Sequence, residues 1–154
     1  MKESRHSQYR RSMNLAFLAT IAALLPTIAP TTLMRTVAEG ADSPIHERTD
    51  VVVKTPDEWK ALLTRFAPAR TPEPVDFERE MIVGVFAGPR PSTGYRAEVF
   101  SVAREGGTIV VLYRVLTPTK DTVRQPISTA PYHLVAVPCD RRRVKFAEVR
   151  DLGP

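Results

Sequence analysis

Histidine, cysteine and paired carboxylates most often carry catalysis or bind metals, and this sequence contains few of them. Of the three histidines, His6 and His46 fall outside the segments that predict ordered elements, which leaves His133. It follows Tyr132 at the start of a predicted strand, where we expect a structural role. No histidine or cysteine pair has the spacing of a zinc site, and no serine–histidine–aspartate arrangement is indicated. The sequence therefore predicts no catalytic residue, no metal and no cofactor.

The other reactive side chains also have structural explanations. Cys139 is the single cysteine, so it cannot form a disulfide within the chain. We expect it to be a small apolar residue near a strand end, and the alternative is a disulfide with another chain. The acidic residues of segment 73–80 are interpreted as a solvated edge. The run Arg141–Arg143 is interpreted as a soluble turn, with binding to an acidic surface as the alternative. Together these interpretations indicate that the chain is not an enzyme.

The first 38 residues have the three-part pattern of an export signal. A basic start precedes an apolar run over residues 15–29, and Thr36-Val37-Ala38 supplies the small residues that a signal peptidase prefers. Extending the run to residue 34 gives the roughly 20 residues that a membrane span needs. An uncleaved anchor over residues 15–34 is therefore the alternative to a cleaved signal peptide. In either case we expect export to the periplasm, the cell envelope or the medium.

The basic character of the chain comes mainly from this N-terminal segment. The whole chain has 22 basic and 17 acidic residues, and its first 38 residues hold five of the basic residues and one of the acidic ones. The remainder is nearly neutral, whereas nucleic-acid binding needs an excess of Lys and Arg to displace counterions. We expect no nucleic-acid partner, and membrane contact only through an uncleaved N-terminal segment.

After a polar linker over residues 39–49, residues 50–154 predict one α+β domain. Thr55-Pro56-Asp57-Glu58 is typical of a capped helix start. One apolar helix face follows it, formed by Trp59, Leu62, Leu63 and Phe66. The predicted strands are residues 50–54, 81–87, 95–104, 108–116, 132–137 and 144–149. We therefore expect a mainly antiparallel β sheet of about six strands with one amphipathic helix packed on it.

Two loops stiffened by proline stand out as a candidate binding site. If the strands after residue 80 simply run up and down, loops 88–94 and 117–131 share one end of the sheet, and the Gly106-Gly107 hairpin lies at the other. A long loop in a compact domain often has a function, and a stiff loop loses little entropy on binding. The candidate contact residues fall at the two loops: Arg90, Pro91, Ser92, Thr93, Gly94 and Tyr95 in and directly after the first, and Pro131, Tyr132 and His133 at the end of the second.

Four segments, in this order along the chain, resemble the PrcB family of accessory subunits of a secreted subtilisin-like protease complex. They are Asp57-Glu58-Trp59, Val75-Asp76-Phe77, Gly88 through Gly94-Tyr95, and Pro131-Tyr132-His133, within about residues 51–149. The resemblance implies an exported or envelope-bound protein that associates with a protease and cuts nothing itself. Members often carry a lipid-attachment cysteine, which has no counterpart at the end of the apolar run here.

The first loop supports two other interpretations. Pro91-Ser92-Thr93-Gly94-Tyr95 is similar to a loop of the chagasin-type cysteine-protease inhibitors, which are β sandwiches that block a protease cleft with adjacent loops. Arg90 stands where that family has Asn, and Pro131-Tyr132 is only loosely similar to the Arg-Pro-Trp sequence of a second loop in that family. The predicted helix has no place in that fold. The third interpretation is purely structural, with a stiff turn ended by Gly94 and a buried Tyr95.

Overall fold

A computed structural model of the protein describes residues 33–66, 68 and 71–150. The predicted basic start and the apolar run over residues 15–29 lie outside this part of the chain, as does most of the extension of that run to residue 34. No helix among the described residues is long and apolar enough to cross a bilayer. The elements are β1 (Arg35–Gly40), β2 (Thr49–Val53), α1 (Pro56–Phe66), β3 (Glu80–Phe86), β4 (Arg96–Glu105), β5 (Thr108–Leu116), β6 (Tyr132–Pro138) and β7 (Arg143–Glu148).

The strands form two sheets rather than one. The first has the order β1-β6-β3-β2 and is antiparallel throughout, while the second has the order β4-β5-β7 with β5 and β7 parallel. The predicted class, α+β with mainly antiparallel strands and one helix, is confirmed. The assumption of a simple up-and-down order is wrong, because the chain changes sheet after β3, after β5 and again after β6.

Strand β3 lies at the centre of the domain because both of its faces are apolar. One face contributes Met81, Val83 and Val85 to the core shared with the second sheet. The other face contributes Ile82 and Phe86 to the core under the helix. The domain therefore has three layers, with α1 and the second sheet on opposite sides of the first sheet.

Helix α1 is capped as the sequence predicts. The Thr55 hydroxyl accepts a hydrogen bond from the Glu58 amide at 3.2 Å, and the Glu58 carboxylate accepts one from the Lys54 amide at 2.7 Å. At the other end, Phe66 is fully buried, with its ring centroid 5.3 Å from Phe86 and 5.0 Å from Tyr132. Through Phe66 the helix therefore holds the first residue of β6, Tyr132, and the last residue of β3, Phe86, against each other.

Strand β1 lies where the sequence predicted the end of a leader and the start of a linker. Arg35–Gly40 pairs with β6, and both Val37 and Ala38 are buried. Ile45, within the predicted linker, is also buried in the core under the helix. A boundary after residue 38 therefore falls inside a strand, and the folded unit extends at least from Arg35 rather than from residue 50. The sequence pattern does not predict this strand, because the small residues of Thr36-Val37-Ala38 also fit a signal-peptidase site.

Candidate functional site

The two proline-containing loops meet at one end of the domain, as strand alternation predicted. Arg90 and Thr129 exchange two main-chain hydrogen bonds, of 2.7 and 3.0 Å, and form an isolated antiparallel bridge. Farther along, the Thr93 amide donates to the Gln125 carbonyl at 3.1 Å, and the Gln125 amide donates to the Thr93 hydroxyl at 3.0 Å. We call residues 88–94 and 117–131 together the loop ledge. The interloop hydrogen bonds hold it as one surface.

Gly94 is required where the two loops approach most closely. Its φ is 95°, a left-handed conformation that residues with a side chain rarely adopt. A Cβ atom there would lie 2.8 Å from Cβ of Pro118 and 3.2 Å from Cγ2 of Thr122. Both the backbone conformation and the contact therefore favour glycine, and Gly94 positions the two loops while remaining exposed.

The most exposed apolar side chains of the ledge belong to the longer loop. Val123 is 88% exposed and Ile127 is 55% exposed. The prolines of the shorter loop, Pro89 and Pro91, are also exposed. Sequence reasoning selected the loop but missed Val123 and Ile127. The sequence does contain a signal for them, because they are two aliphatic residues in a polar segment that has neither strand nor helix periodicity.

The first four predicted contact residues have mixed roles. Arg90 is half-buried, and its guanidinium donates to the Ala87 carbonyl at 3.1 Å, so it braces the base of the shorter loop. The Ser92 carbonyl accepts a hydrogen bond from the Thr129 hydroxyl at 3.0 Å. Thr93 is likewise engaged in interloop bonds, and Pro91 alone among the four is exposed.

Tyr95 is half-buried, between the exposures of a core residue and a free surface residue. It does not reach the full burial that the purely structural interpretation assumed. Part of its side chain is therefore accessible beside Gly94, at the point where the shorter loop leads into β4.

Pro131, Tyr132 and His133 are buried, which corrects their selection as contact residues. The Tyr132 ring stacks on Phe86 with centroids 5.5 Å apart, and burial raises its pKa. The Pro131 carbonyl accepts a hydrogen bond from the Ala87 amide at 2.9 Å. These residues hold β6 in the core, where a partner cannot touch their side chains.

His133 connects three strands. Its Nδ1 accepts a hydrogen bond from the Val99 amide of β4 at 2.9 Å, and its Nε2 lies 3.0 Å from the Thr36 hydroxyl of β1. An Nδ1 that accepts cannot carry a proton, so the ring is neutral with the proton on Nε2. Burial lowers its pKa, and the nearby Glu39 and Glu98 oppose that shift only in part. This geometry agrees with the structural role predicted from the sequence.

Two features that the sequence raised, metal ligation and the single cysteine, can be located in the described part of the chain. No group of His, Cys, Asp or Glu residues there is arranged to hold a metal ion. Cys139 is exposed directly after β6, with its amide donating to the Arg79 carbonyl at 2.7 Å. It is thus a surface residue rather than the small apolar packing residue that we expected.

The comparisons with known proteins agree with the resemblance found in the sequence. The geometry defines a small α+β domain with a rigid loop surface. The PrcB C-terminal family matches residues 81–138, which confirms the resemblance to PrcB proteins over this segment. The matched segment runs from β3 to β6 and includes both loops of the ledge. No curated protein and no solved structure matches the chain.

The inhibitor interpretation loses part of its basis in this structure. It compared Pro131-Tyr132 with a second cleft-blocking loop, but both residues are buried. Helix α1 is also part of the core through Phe66, whereas the inhibitor fold is a β sandwich without such a helix. The PrcB match extends over the same loop without these conflicts.

Proposed function

We propose that this protein is a non-catalytic accessory subunit that binds another exported protein, such as a protease, through the loop ledge. The observation that carries the proposal is the direct pairing of the two loops, with two exposed aliphatic side chains on the longer one. The PrcB match supports a role beside a protease because it includes both loops. Export rests on the N-terminal pattern of the sequence.

Val123 and Ile127 are the proposed anchors. Burying a valine or isoleucine side chain in an interface contributes roughly 1.5–3 kcal/mol, and interfaces commonly depend on a few such residues. Neither side chain contributes to the two hydrophobic cores of the described residues, so exposure to water is their state in the free protein. A partner that covers them therefore gains apolar contacts without competing with the fold.

The rigidity of the ledge lowers the entropic cost of binding. Prolines fix φ at both ends of the longer loop, and hydrogen bonds join it to the shorter loop at Arg90 and Thr93. A loop that is already ordered loses little freedom when it docks. Pro89 and Pro91 extend the exposed surface on the shorter loop and add area without adding flexibility.

The proposal is tested by capture from the cells that produce the protein. The full chain, tagged at its C-terminus, is expressed as the wild type, as Val123→Asp/Ile127→Asp and as Val52→Asp. Val52 is an exposed valine on β2, away from the ledge, and serves as the matched control. Each variant is first shown to unfold at the same temperature as the wild type.

We expect the wild type and Val52→Asp to recover the same exported protein, and the double variant to lose it. If that protein is a protease, its activity should persist in the complex, because an accessory subunit does not block the active site. Equal recovery by all three chains would exclude the ledge as the binding surface. Loss of protease activity on binding would instead favour the inhibitor interpretation.

A further inference from the structure

Within the described residues, strand β7 is an edge of the second sheet. It runs parallel to β5, from the end that carries the Gly106-Gly107 hairpin towards the end that carries the loop ledge. In the part of the chain that the structure describes, it pairs with β5 alone, and the Val149 amide donates to the Tyr113 carbonyl at 2.8 Å just beyond it. In a strand the N–H and C=O of one residue point to the same side, and successive residues alternate. Val144, Phe146 and Glu148 therefore direct their main-chain groups away from β5. These groups are available to an added strand.

The side chains beside this edge carry an excess of positive charge. Within the described residues, Arg141, Arg143 and Lys145 form no ion pair, and all three are exposed. Their neighbour Asp140 is already paired with Arg104 at 3.0 Å and with Arg142 at 2.7 Å. The edge therefore presents three cations whose charge is not neutralised by the domain itself.

Arg143 and Lys145 lie on the outer face of the sheet. They pair in register with Thr108 and Val110, whose neighbours Ile109 and Val111 face the core. The next outward residue, Ala147, pairs with Leu112. The outer side of β7 thus changes from cationic to apolar along its length. A strand beside it would need acidic residues at one end and small apolar residues at the other.

A second copy of this chain does not fit that pattern. Two β7 strands paired edge to edge would bring Arg143 and Lys145 of both copies into one seam, and like charges on adjacent strands are destabilising. Lysine on an edge strand also discourages such self-pairing in general. Charge complementarity therefore selects a partner of opposite sign.

We propose that the β7 edge binds an extended acidic segment of a partner protein by β-strand addition. Its main chain pairs with Val144, Phe146 and Glu148, and its carboxylates lie opposite Arg143 and Lys145. This second contact is separate from the loop ledge, because its cations Arg143 and Lys145 lie beside Thr108 and Val110, near the hairpin end of β5. The run Arg141–Arg143 would then contribute to recognition instead of serving only as a soluble turn.

The probe is a capped, fluorescent heptapeptide, Val-Thr-Val-Thr-Glu-Thr-Glu, that places its two glutamates opposite Lys145 and Arg143 in an antiparallel register. It is titrated with the full chain in neutral detergent, as the wild type, as Arg143→Glu/Lys145→Glu and as Lys60→Glu. Lys60 is an exposed cation on α1 and provides the control for loss of positive charge elsewhere. Hydrogen exchange with and without the peptide locates the contact.

We expect the double variant to bind the peptide about tenfold more weakly, because both opposed charge pairs become pairs of like charge. Lys60→Glu should bind like the wild type, and the peptide should protect the amides of Val144, Phe146 and Glu148. Equal binding by the double variant would overturn the proposal. Protection at another strand, or equal binding of a peptide with lysine in place of glutamate, would also overturn it.

Discussion

The imidazole of His133, on β6, accepts a hydrogen bond at 2.9 Å from the main-chain amide of Val99, on β4. This bond joins the two sheets at a buried point. The bond lies where the β4–β5 register shifts between Val99 and Ser101. At this irregularity the Val99 amide donates to the His133 ring instead of to a carbonyl of β5. The same ring also contacts Thr36 of β1. His133 therefore holds the second sheet on the first and the first strand in place.

We expect the stability of the domain to fall as the pH drops below the ordinary histidine value of 6.5. Burial lowers the pKa of His133 in the folded state, so the unfolded chain binds the proton more readily. Its contribution to stability is complete above 6.5 and is lost as the pH falls through the lower, folded-state pKa. If Nδ1 were protonated, its N–H would also face the N–H of Val99, and the hydrogen bond between them would be lost.

This pH dependence is measured by urea unfolding of the wild type and His133→Asn at several pH values. Asparagine can still accept the Val99 bond near the position of Nδ1 but does not titrate. The variant should lose stability at neutral pH, by about 1–3 kcal/mol if the bond is not fully replaced. Its stability should change less between neutral and acidic pH. An unchanged acid slope would assign the effect to other groups.

Removing the first part of β1 should destabilise the domain. A chain that begins at residue 39 loses the buried Val37 and the ion pair of Arg35 with Glu80, whose atoms are 2.6 Å apart. Burial of one valine stabilises by roughly 1.5–3 kcal/mol, so the shortened chain should unfold at clearly lower urea than one that begins at residue 33. Identical midpoints would show that β1 contributes little.

Gly94→Ala should lower stability and loosen the ledge. The substitution combines strain at a φ of 95° with a contact at 2.8 Å to Pro118, and we expect a cost of about 1–3 kcal/mol. Gly107→Ala is the matched control, because a Cβ atom there meets nothing within 4 Å. Thermal unfolding of both variants gives the comparison. Equal melting temperatures would mean that the loops separate freely.

Alkaline pH should also destabilise the fold through Tyr113. Burial, followed by the nearby Glu148 carboxylate, raises the pKa of this phenol from 10.0 to about 12. The unfolded chain then releases the proton first, so stability should fall as the pH rises from 10 towards 12. Tyr113→Phe should flatten this slope, and Tyr132, whose pKa is also raised by burial, should retain part of it. Unfolding measured by fluorescence across this range tests the expectation.

The sequence by itself determined the elements and their order after residue 49. Local signals were strong there: the capping residues around Thr55 start α1, and the doubly apolar run of β3 requires cover on both faces. Strand alternation also predicted that the two proline loops share one end of the domain. This prediction does not depend on sheet membership, because successive strands run in opposite directions even when they belong to different sheets. The resemblance to PrcB proteins came from short motifs within this part of the chain.

Only the tertiary structure decided which residues of the candidate site are accessible. Tyr132 and His133 look like surface recognition residues in the sequence, yet they are buried between layers that the chain assembles from distant segments. Val123 and Ile127 look like ordinary loop residues, yet they are exposed on a loop that pairs with its neighbour through Arg90 and Thr129. Sheet membership, the pairing of β1 and the open edge of β7 depend on long-range contacts, which no local pattern specifies.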